Sequence, residues 1–190
     1  GITATSICVY KDSYGQYQSK GKLKNGKKEG KWVVWDWNGK KMFDRNYKDG
    51  KLVGKGIYWD LIGRRTETNY VDGEATRSVM YEKDGQIGEE VDYKDGYGYF
   101  HTVYTYYDNG KLKNTGRYFL KGGMKFDGAQ SAWYENGQKH YEINYKNDKY
   151  DGKHTYWYQN GQKWSEENFE DGKRIDKSTW WHKKGFIQAE

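Results

Sequence analysis

Residues 26–47 read Gly26-Lys27-Lys28-Glu29-Gly30-Lys31-Trp32-Val33-Val34-Trp35-Asp36-Trp37-Asn38-Gly39-Lys40-Lys41-Met42-Phe43-Asp44-Arg45-Asn46-Tyr47. Asn38-Gly39 stands between two β-prone runs, a strong hairpin signal that predicts a type I′ turn with positive φ at both central residues. The same signature returns along the whole chain. Its glycines are Gly15, Gly39, Gly63, Gly85, Gly110, Gly137, Gly161 and Gly185, at gaps of 24, 24, 22, 25, 27, 24 and 24 residues. Four residues before seven of them stand Trp35, Trp59, Tyr81, Tyr106, Trp133, Trp157 and Trp181; Lys11 takes that place in the first copy. Self-similarity at this period marks an array of small units, none able to bury its apolar side chains alone.

A second glycine turn follows each return strand, at Asn25-Gly26, Asp49-Gly50, Asp72-Gly73, Asp95-Gly96 and Asp171-Gly172. Two turns per unit leave runs of strand length, and helical periodicity is weak. The expected fold is all-β: an elongated antiparallel β-meander of about seven hairpin repeats of ~24 residues each, forming a curved or half-rolled single sheet. Its strands would number about 14 to 16 and span on the order of 70 Å. One repeat domain over 1–190 is expected, with a capping copy over 1–23, repeats over 24–187 and a tail at 188–190.

Composition agrees with a ring-built fold. Leu, Ile, Val and Phe total only 27 of 190 residues, but 20 Tyr and 9 Trp supply large side chains to bury, unlike a disordered chain. Proline is absent, and the single cysteine, Cys8, has no intramolecular partner and reads as inert. No apolar run approaches the ~18 residues a membrane-spanning helix needs. The chain starts at Gly1 rather than Met, which suits a removed leader. An exported, periplasmic or cell-surface location is therefore preferred to a cytoplasmic one. Charge is uneven: residues 1–65 carry 15 Lys/Arg against 6 Asp/Glu, a net of +9, and 66–190 carry 18 against 21, a net of −3. Such a basic end attracts acidic lipids, nucleic acid or acidic protein, or is a solvated lysine face that discourages edge pairing.

The stretch Tyr47-Lys48-Asp49-Gly50-Lys51-Leu52-Val53-Gly54-Lys55-Gly56 resembles the tyrosine–glycine opening of MORN repeats. The longer unit, with its Gly-x-Trp-x-x-Trp body and Asn-Gly-Lys turn, is similar to the bacterial MORN-variant repeat over about residues 10–187. That resemblance implies a β-hairpin repeat scaffold, and the family includes antitoxin components of toxin–antitoxin modules. It brings no catalytic motif. Asp148 and Asp176 depart from the pattern by replacing opening glycines, and Gly122-Gly123-Met124 reads as a bulge, bend or turn.

Strand alternation sorts the positions by face. The ring row four before each glycine is assigned to the packed, concave side as structural core. The row three before glycine then faces the other way and reads Asp12, Asp36, Asp60, Glu82, Tyr107, Tyr134, Tyr158, His182. Five before glycine come Tyr58, Tyr156 and Trp180. The C-terminal half thus offers a ladder of candidate binding residues: Tyr107, Tyr134, Tyr156, Tyr158, Trp180 and His182. Such rings stack sugars or bases, anchor a protein, or simply pack a rolled edge.

Other chemistry is thin. Successive acidic residues of the row lie two strands apart, roughly 10 Å, too far to share one Ca²⁺. His101, His140, His154 and His182 fall in different units, and the adjacent pairs Glu89-Glu90 and Glu166-Glu167 split between faces. Tyr97-Gly98-Tyr99 and Gly122-Gly123 lack the lysine and helix of a phosphate loop and read as turns. The expectation is a non-enzymatic scaffold, without cofactor or metal, that binds a partner protein through an extended aromatic face. By resemblance that partner is a toxin. The alternative is an envelope or secreted module binding carbohydrate or anionic lipid; nucleic acid is not favoured. Open sheet edges allow a monomer or an edge-paired dimer.

Overall fold

The computed structural model describes residues 5–11, 13 and 17–189. The turn at Gly15 and the carboxylate of Asp12 lie outside the described residues. The chain divides into two compact units, 1–97 and 98–190. Unit 1 holds β1 (Thr5–Lys11), β2 (Tyr17–Lys24), β3 (Lys27–Trp35), β4 (Lys41–Lys48), β5 (Lys51–Leu52), β6 (Gly54–Trp59), β7 (Arg65–Val71), β8 (Glu74–Tyr81) and β9 (Ile87–Lys94). Unit 2 holds β10 (Tyr97–Tyr106), β11 (Leu112–Phe119), β12 (Lys125–Trp133), β13 (Lys139–Lys146), β14 (Lys149–Tyr150), β15 (Gly152–Trp157), β16 (Lys163–Glu170), β17 (Lys173–Arg174), β18 (Thr179–Trp181) and β19 (Ile187–Ala189). No helix occurs among the described residues, and within each unit every strand pairing is antiparallel, with β5 and β6 both on β4, β14 and β15 both on β13, and β17 and β18 both on β16. The all-β hairpin meander read from the sequence is what both units form.

Two turn types alternate. At Asn25-Gly26, Asp49-Gly50, Asp72-Gly73 and Asp171-Gly172 both residues are left-handed, with φ of 50° and 75° in the first pair. These are two-residue hairpins of the I′ kind. Asn147-Asp148 does the same without glycine, at φ 50° and 64°. The turns at the periodic glycines differ, and this corrects the type I′ reading of Asn38-Gly39. Gly39 is left-handed at φ 77°, but Asn38 is not. The Gly39 amide donates to the Asp36 carbonyl (3.0 Å), and the Asp36 amide donates to the Lys40 carbonyl (2.8 Å). That pattern is a type I turn closed by a left-handed glycine, a three-residue loop with a bulge. A separate bulge at Met42, in β4, shifts the register between Val34 and Trp35, whereas the same loop at residues 60–63 is followed by unshifted pairing. Asparagine keeps its right-handed conformation because its side chain satisfies the loop: Oδ1 of Asn109, Asn136 and Asn160 accepts the amide of Lys111, Gln138 and Gln162.

The strands outnumber the 14 to 16 expected because the strands that follow the second turn are broken near their start. Val53 separates β5 from β6, and Gly54 follows at φ 64°. The break is bridged locally. The Val53 amide donates to the Asn46 carbonyl, and Asn46 Nδ2 donates to the Lys55 carbonyl. Asn144 repeats this with Asp151 and Lys153. One smaller reading changes: Tyr97 and Gly98 lie in β10, the left-handed pair being Asp95-Gly96. Gly122-Gly123 is a turn, as read, and the bulge lies instead at left-handed Gly128, opposite Arg117.

Little is fully buried. Trp32 (4% exposed) and Ala132 are the buried hydrophobic residues among those described; the other buried side chains are Ser78, Ser131, His154, Thr155, Ser165 and Ser178. Trp32 lies flat over Gly21, with Tyr47 at its edge (centroids 6.5 Å, 77°) and its Nε1 donating to the Lys22 carbonyl at 3.0 Å. A Cβ on Gly21 would stand 2.1 Å from Trp32 Cδ2, inside the indole. Gly21→Ala is therefore expected to displace Trp32 and destabilise the protein by about 1–3 kcal/mol. Urea denaturation followed by tryptophan fluorescence checks this; an unchanged midpoint would show that Trp32 does not rest on Gly21.

Candidate interaction face

The two sides of each unit carry different chemistry. On one side lie ion pairs: Lys31–Asp44 (2.9 Å), Lys55–Glu67 (2.7 Å) and Arg77–Glu90 (2.9 Å) in unit 1, and Lys153–Glu166 (2.8 Å) in unit 2. The ring row four before glycine lies on this side. A cation two residues after one glycine sits over the ring of the next unit. Lys41 covers Trp59 at 5.4 Å, Arg65 covers Tyr81 at 4.5 Å, Lys139 covers Trp157 at 5.7 Å and Lys163 covers Trp181 at 5.5 Å. Each cation also pairs with a carboxylate, Asp44, Glu67, Glu142 and Glu166 respectively. Strand alternation explains the placement: Trp59 follows Tyr58, whose ring lies on the other side, with no register shift against the return strand. These rings tie neighbouring repeats together through cation–π contact.

The row three before glycine starts the turn, and its role changes along the chain. Asp36 Oδ1 accepts the Asn38 and Lys40 amides; Asp60 Oδ1 accepts those of Ile62 and Arg64. The Arg64 side-chain hydrogen bond holds the Asp60 carboxyl below its ordinary pKa. In unit 2 tyrosine takes the position and reaches forward instead. Tyr107 donates to the Trp133 carbonyl (2.7 Å), Tyr134 to that of Trp157 (2.9 Å) and Tyr158 to that of Trp181 (2.9 Å). Asn136 and Asn160 add parallel links to the carbonyls of Gln159 and Lys183. Burial pushes the Tyr134 hydroxyl above the usual phenol value, so it remains a donor at neutral pH.

The opposite side carries open troughs lined by aromatic side chains. In unit 1 one of about 370 Å³ is lined by Phe43, Arg45, Tyr58, Tyr70, Met80 and Glu89, among others. Phe43 stacks on Tyr58 (4.9 Å) beneath the Arg45 guanidinium (4.2 Å). In unit 2 a trough of about 300 Å³ runs between Val103, Gly116, Tyr118, Phe126, Gln130 and Ile143. Two ring ladders cross the strands of unit 2. One runs Tyr118–Phe126–Tyr145–Tyr150–Phe169, with successive centroids 4.9 to 5.3 Å apart. Burial and the hydrogen bond that its hydroxyl donates to Tyr150 push the Tyr145 pKa up to about 12. His154, 1% exposed, stacks on Phe169 at 4.4 Å and hydrogen-bonds the Asn144 carbonyl through Nε2 at 3.0 Å.

The second ladder contains the sequence candidates. It runs Tyr134–His140–Tyr141–Tyr156–Trp164–Trp180, with steps of 4.4, 5.4, 6.2, 5.7 and 5.8 Å, and Tyr158 joins at Trp164 (6.3 Å). The structure thus links Tyr134, Tyr156, Tyr158 and Trp180 through intervening rings. Tyr107 stands apart under Lys113, and His182 stacks on Phe186. His140, Tyr141 and the 40%-exposed Trp164 were missed by sequence reasoning. Counted from its glycine, Trp164 occupies the place of Met42, Thr66, Gly88 and Lys113, so the repeat pattern carries no signal there.

Among the described residues no three His, Cys, Asp or Glu side chains gather closely enough to hold a metal ion, and no helix is long and apolar enough to cross a membrane. Hairpin repeats tied edge to edge define the class of protein. Three segments, 102–119, 126–147 and 150–171, match the MORN repeat variant family. They cover most of β10–β16, where the tyrosine ties and both ring ladders are concentrated. No curated protein matches the chain.

Two outcomes are expected. Tyr134→Phe removes the tie to the Trp157 carbonyl and should lower stability by about 1 kcal/mol in urea denaturation; no change would make the tie incidental. His154 has its pKa lowered chiefly by burial, against the Asn144 hydrogen bond and the field of Glu167. The unfolded chain, with an ordinary pKa near 6.5, then takes up a proton that the folded protein refuses. Stability is full above that value and falls as pH drops through it toward the lower folded pKa. His154→Phe should flatten the stability profile between about pH 7 and pH 5.5; an unchanged slope would assign the acid sensitivity elsewhere.

Proposed function

We propose that the chain is a non-enzymatic repeat scaffold that binds a partner protein through the aromatic face of unit 2. The observation that supports this reading is the continuous ladder from Tyr134 to Trp180, with Trp164 exposed at its middle. Exposed tryptophan and tyrosine on a rigid sheet lose little entropy on binding and serve as anchors at interfaces. The six sequence candidates divide by role. Tyr156 and Trp180 make contact together with Trp164. Tyr107, Tyr134 and Tyr158 spend their hydroxyls on the next unit's carbonyls and hold the face in place. His182, against Phe186, marks the end of the contact surface.

The most concrete form of the proposal is an antitoxin or immunity protein, supported by the resemblance to bacterial MORN-variant repeats. Its mechanism is occlusion: an interface on the order of 1,000 Å² or more covers the toxin's active surface, with no bond made or broken. Capture from the native host tests this. The wild-type chain and Tyr107→Phe should retain the same partner, whereas Trp164→Ala with Trp180→Ala should lose it. Undiminished capture by the double variant would remove the ladder from the interface. Selective glycan binding that the double variant abolishes would instead favour a carbohydrate-binding module.

A further inference from the structure

The trough of unit 1 is no part of the aromatic ladder, and it holds a charge that the fold does not answer. Six residues after their periodic glycines stand Arg45, Val91, Gly116, Ile143 and Glu167. The first four line a trough, Arg45 and Val91 in unit 1 and Gly116 and Ile143 in unit 2. Glu167 is answered within the fold: Ser178 Oγ donates to its Oε1 at 2.8 Å and Arg174 pairs with it at 3.5 Å. Arg45 is not. Among the described residues no carboxylate pairs with it and no acceptor takes its N–H groups. A half-buried cation without a partner costs free energy, so its place in the trough calls for a reason.

The guanidinium is held in position all the same. It lies over the Phe43 ring at 4.2 Å, and β4 is paired with β3 on one side and with β5 and β6 on the other. Gly56, on β6, makes room beside it: a Cβ there would stand 3.0 Å from the Tyr70 ring and 3.4 Å from Arg45 Cγ. Stacking of this kind fixes the plane of a guanidinium and leaves its donor edge open. Among the residues lining the trough Arg45 is the one cation and Glu89 the one carboxylate. Glu89 stands on β9, four strands from Arg45, roughly 19 Å away at about 4.8 Å per strand and too far to neutralise it. Between them Thr68 and Ser78 share one hydrogen bond of 2.7 Å, so one of their two hydroxyl hydrogens remains to be donated. Tyr58, Tyr70, Tyr93 and Met80 supply the apolar walls.

We propose that this trough binds a small aromatic carboxylate. The carboxylate accepts two parallel N–H bonds from Arg45, the ring lies against the tyrosines, and a polar substituent accepts the hydroxyl left by Thr68 and Ser78. One planar cation, with Glu89 in the same trough, suits a single negative charge; a phosphate dianion would draw on more donors and meet the carboxylate's repulsion. The trough, about 370 Å³, falls at the low end of small-molecule sites, about 300–1,000 Å³, which fits a ligand of one or two rings. The site is on unit 1 and does not depend on the ladder of unit 2.

The methionines report on it directly. Met42 and Met80 line the trough, whereas Met124 belongs to unit 2. In the full chain with isotope-labelled methionine methyl groups, titration with naphthoate should shift the Met80 resonance saturably and leave Met124 in place. Naphthamide, the same rings without the charge, should bind at least tenfold more weakly. Arg45→Gln should weaken naphthoate binding at least tenfold while circular dichroism stays that of the wild type, and Trp164→Ala with Trp180→Ala should leave it unchanged. The amide needs no protein variant, so misfolding of Arg45→Gln leaves the question decided. Equal binding of acid and amide, or a Met124 shift as large as that of Met80, would reduce the effect to general ring adsorption and overturn the proposal. So would an unmoved Met80 at millimolar naphthoate, undiminished binding by a folded Arg45→Gln variant, or tighter binding of naphthyl phosphate than of naphthoate.

Discussion

Register is the constraint on which the rest of the protein depends, and two kinds of left-handed turn hold it. Between one kind the chain turns on two left-handed residues, as at Asp49-Gly50; at the other it turns on three, of which only the glycine is left-handed, as at Asp36–Gly39. The difference of one residue decides which face each side chain occupies, because strands alternate with a period of two. Alternation places Trp59 beneath Lys41 on the ion-paired side while Tyr58 stacks on Phe43 on the other. Each side then performs one task.

The ion-paired side joins the hairpin repeats within each unit. A sheet with so little fully buried area cannot rely on a central core, and hairpins alone are marginal in water. Neighbours are joined by recurring ties instead: a cation over the next ring, a carboxylate beside the cation and, in unit 2, a tyrosine hydroxyl on the next tryptophan carbonyl. Cation–π contacts are worth about 0.5–1 kcal/mol at exposed sites, so repetition matters more than any single tie. Joining the repeats on one side leaves the trough side available for binding.

Much of this was legible in the sequence. The period, the all-β class, the two turns per unit and the structural use of the ring row follow from residue types at fixed spacing. The turn type at the periodic glycines did not, because Asn-Gly suits both a two-residue and a three-residue loop. Asn160-Gly161 and Asp171-Gly172 look alike as dipeptides but adopt different turns. The tyrosine candidates were visible as a row, whereas their hydroxyl partners lie 23 to 26 residues further on, on carbonyls that no side-chain pattern reveals. Trp164 was hidden for the opposite reason. It is a departure from the repeat, and periodic reasoning finds only what recurs.

Solution NMR of the turn residues addresses the alternation itself. Intraresidue amide–Hα nuclear Overhauser effects and three-bond couplings report the sign of φ at each turn asparagine and aspartate. The account predicts positive φ at Asn25, Asp49, Asp72 and Asp171 and negative φ at Asn38, Asn109, Asn136 and Asn160, with slowed amide exchange at the glycine after each of the latter four. Positive φ at Asn38, Asn109, Asn136 and Asn160 would mean two-residue turns throughout. The strand after each of these turns would then slip by one residue against the tryptophan row, and the seating of each cation between ring and carboxylate on the joining face would be contradicted.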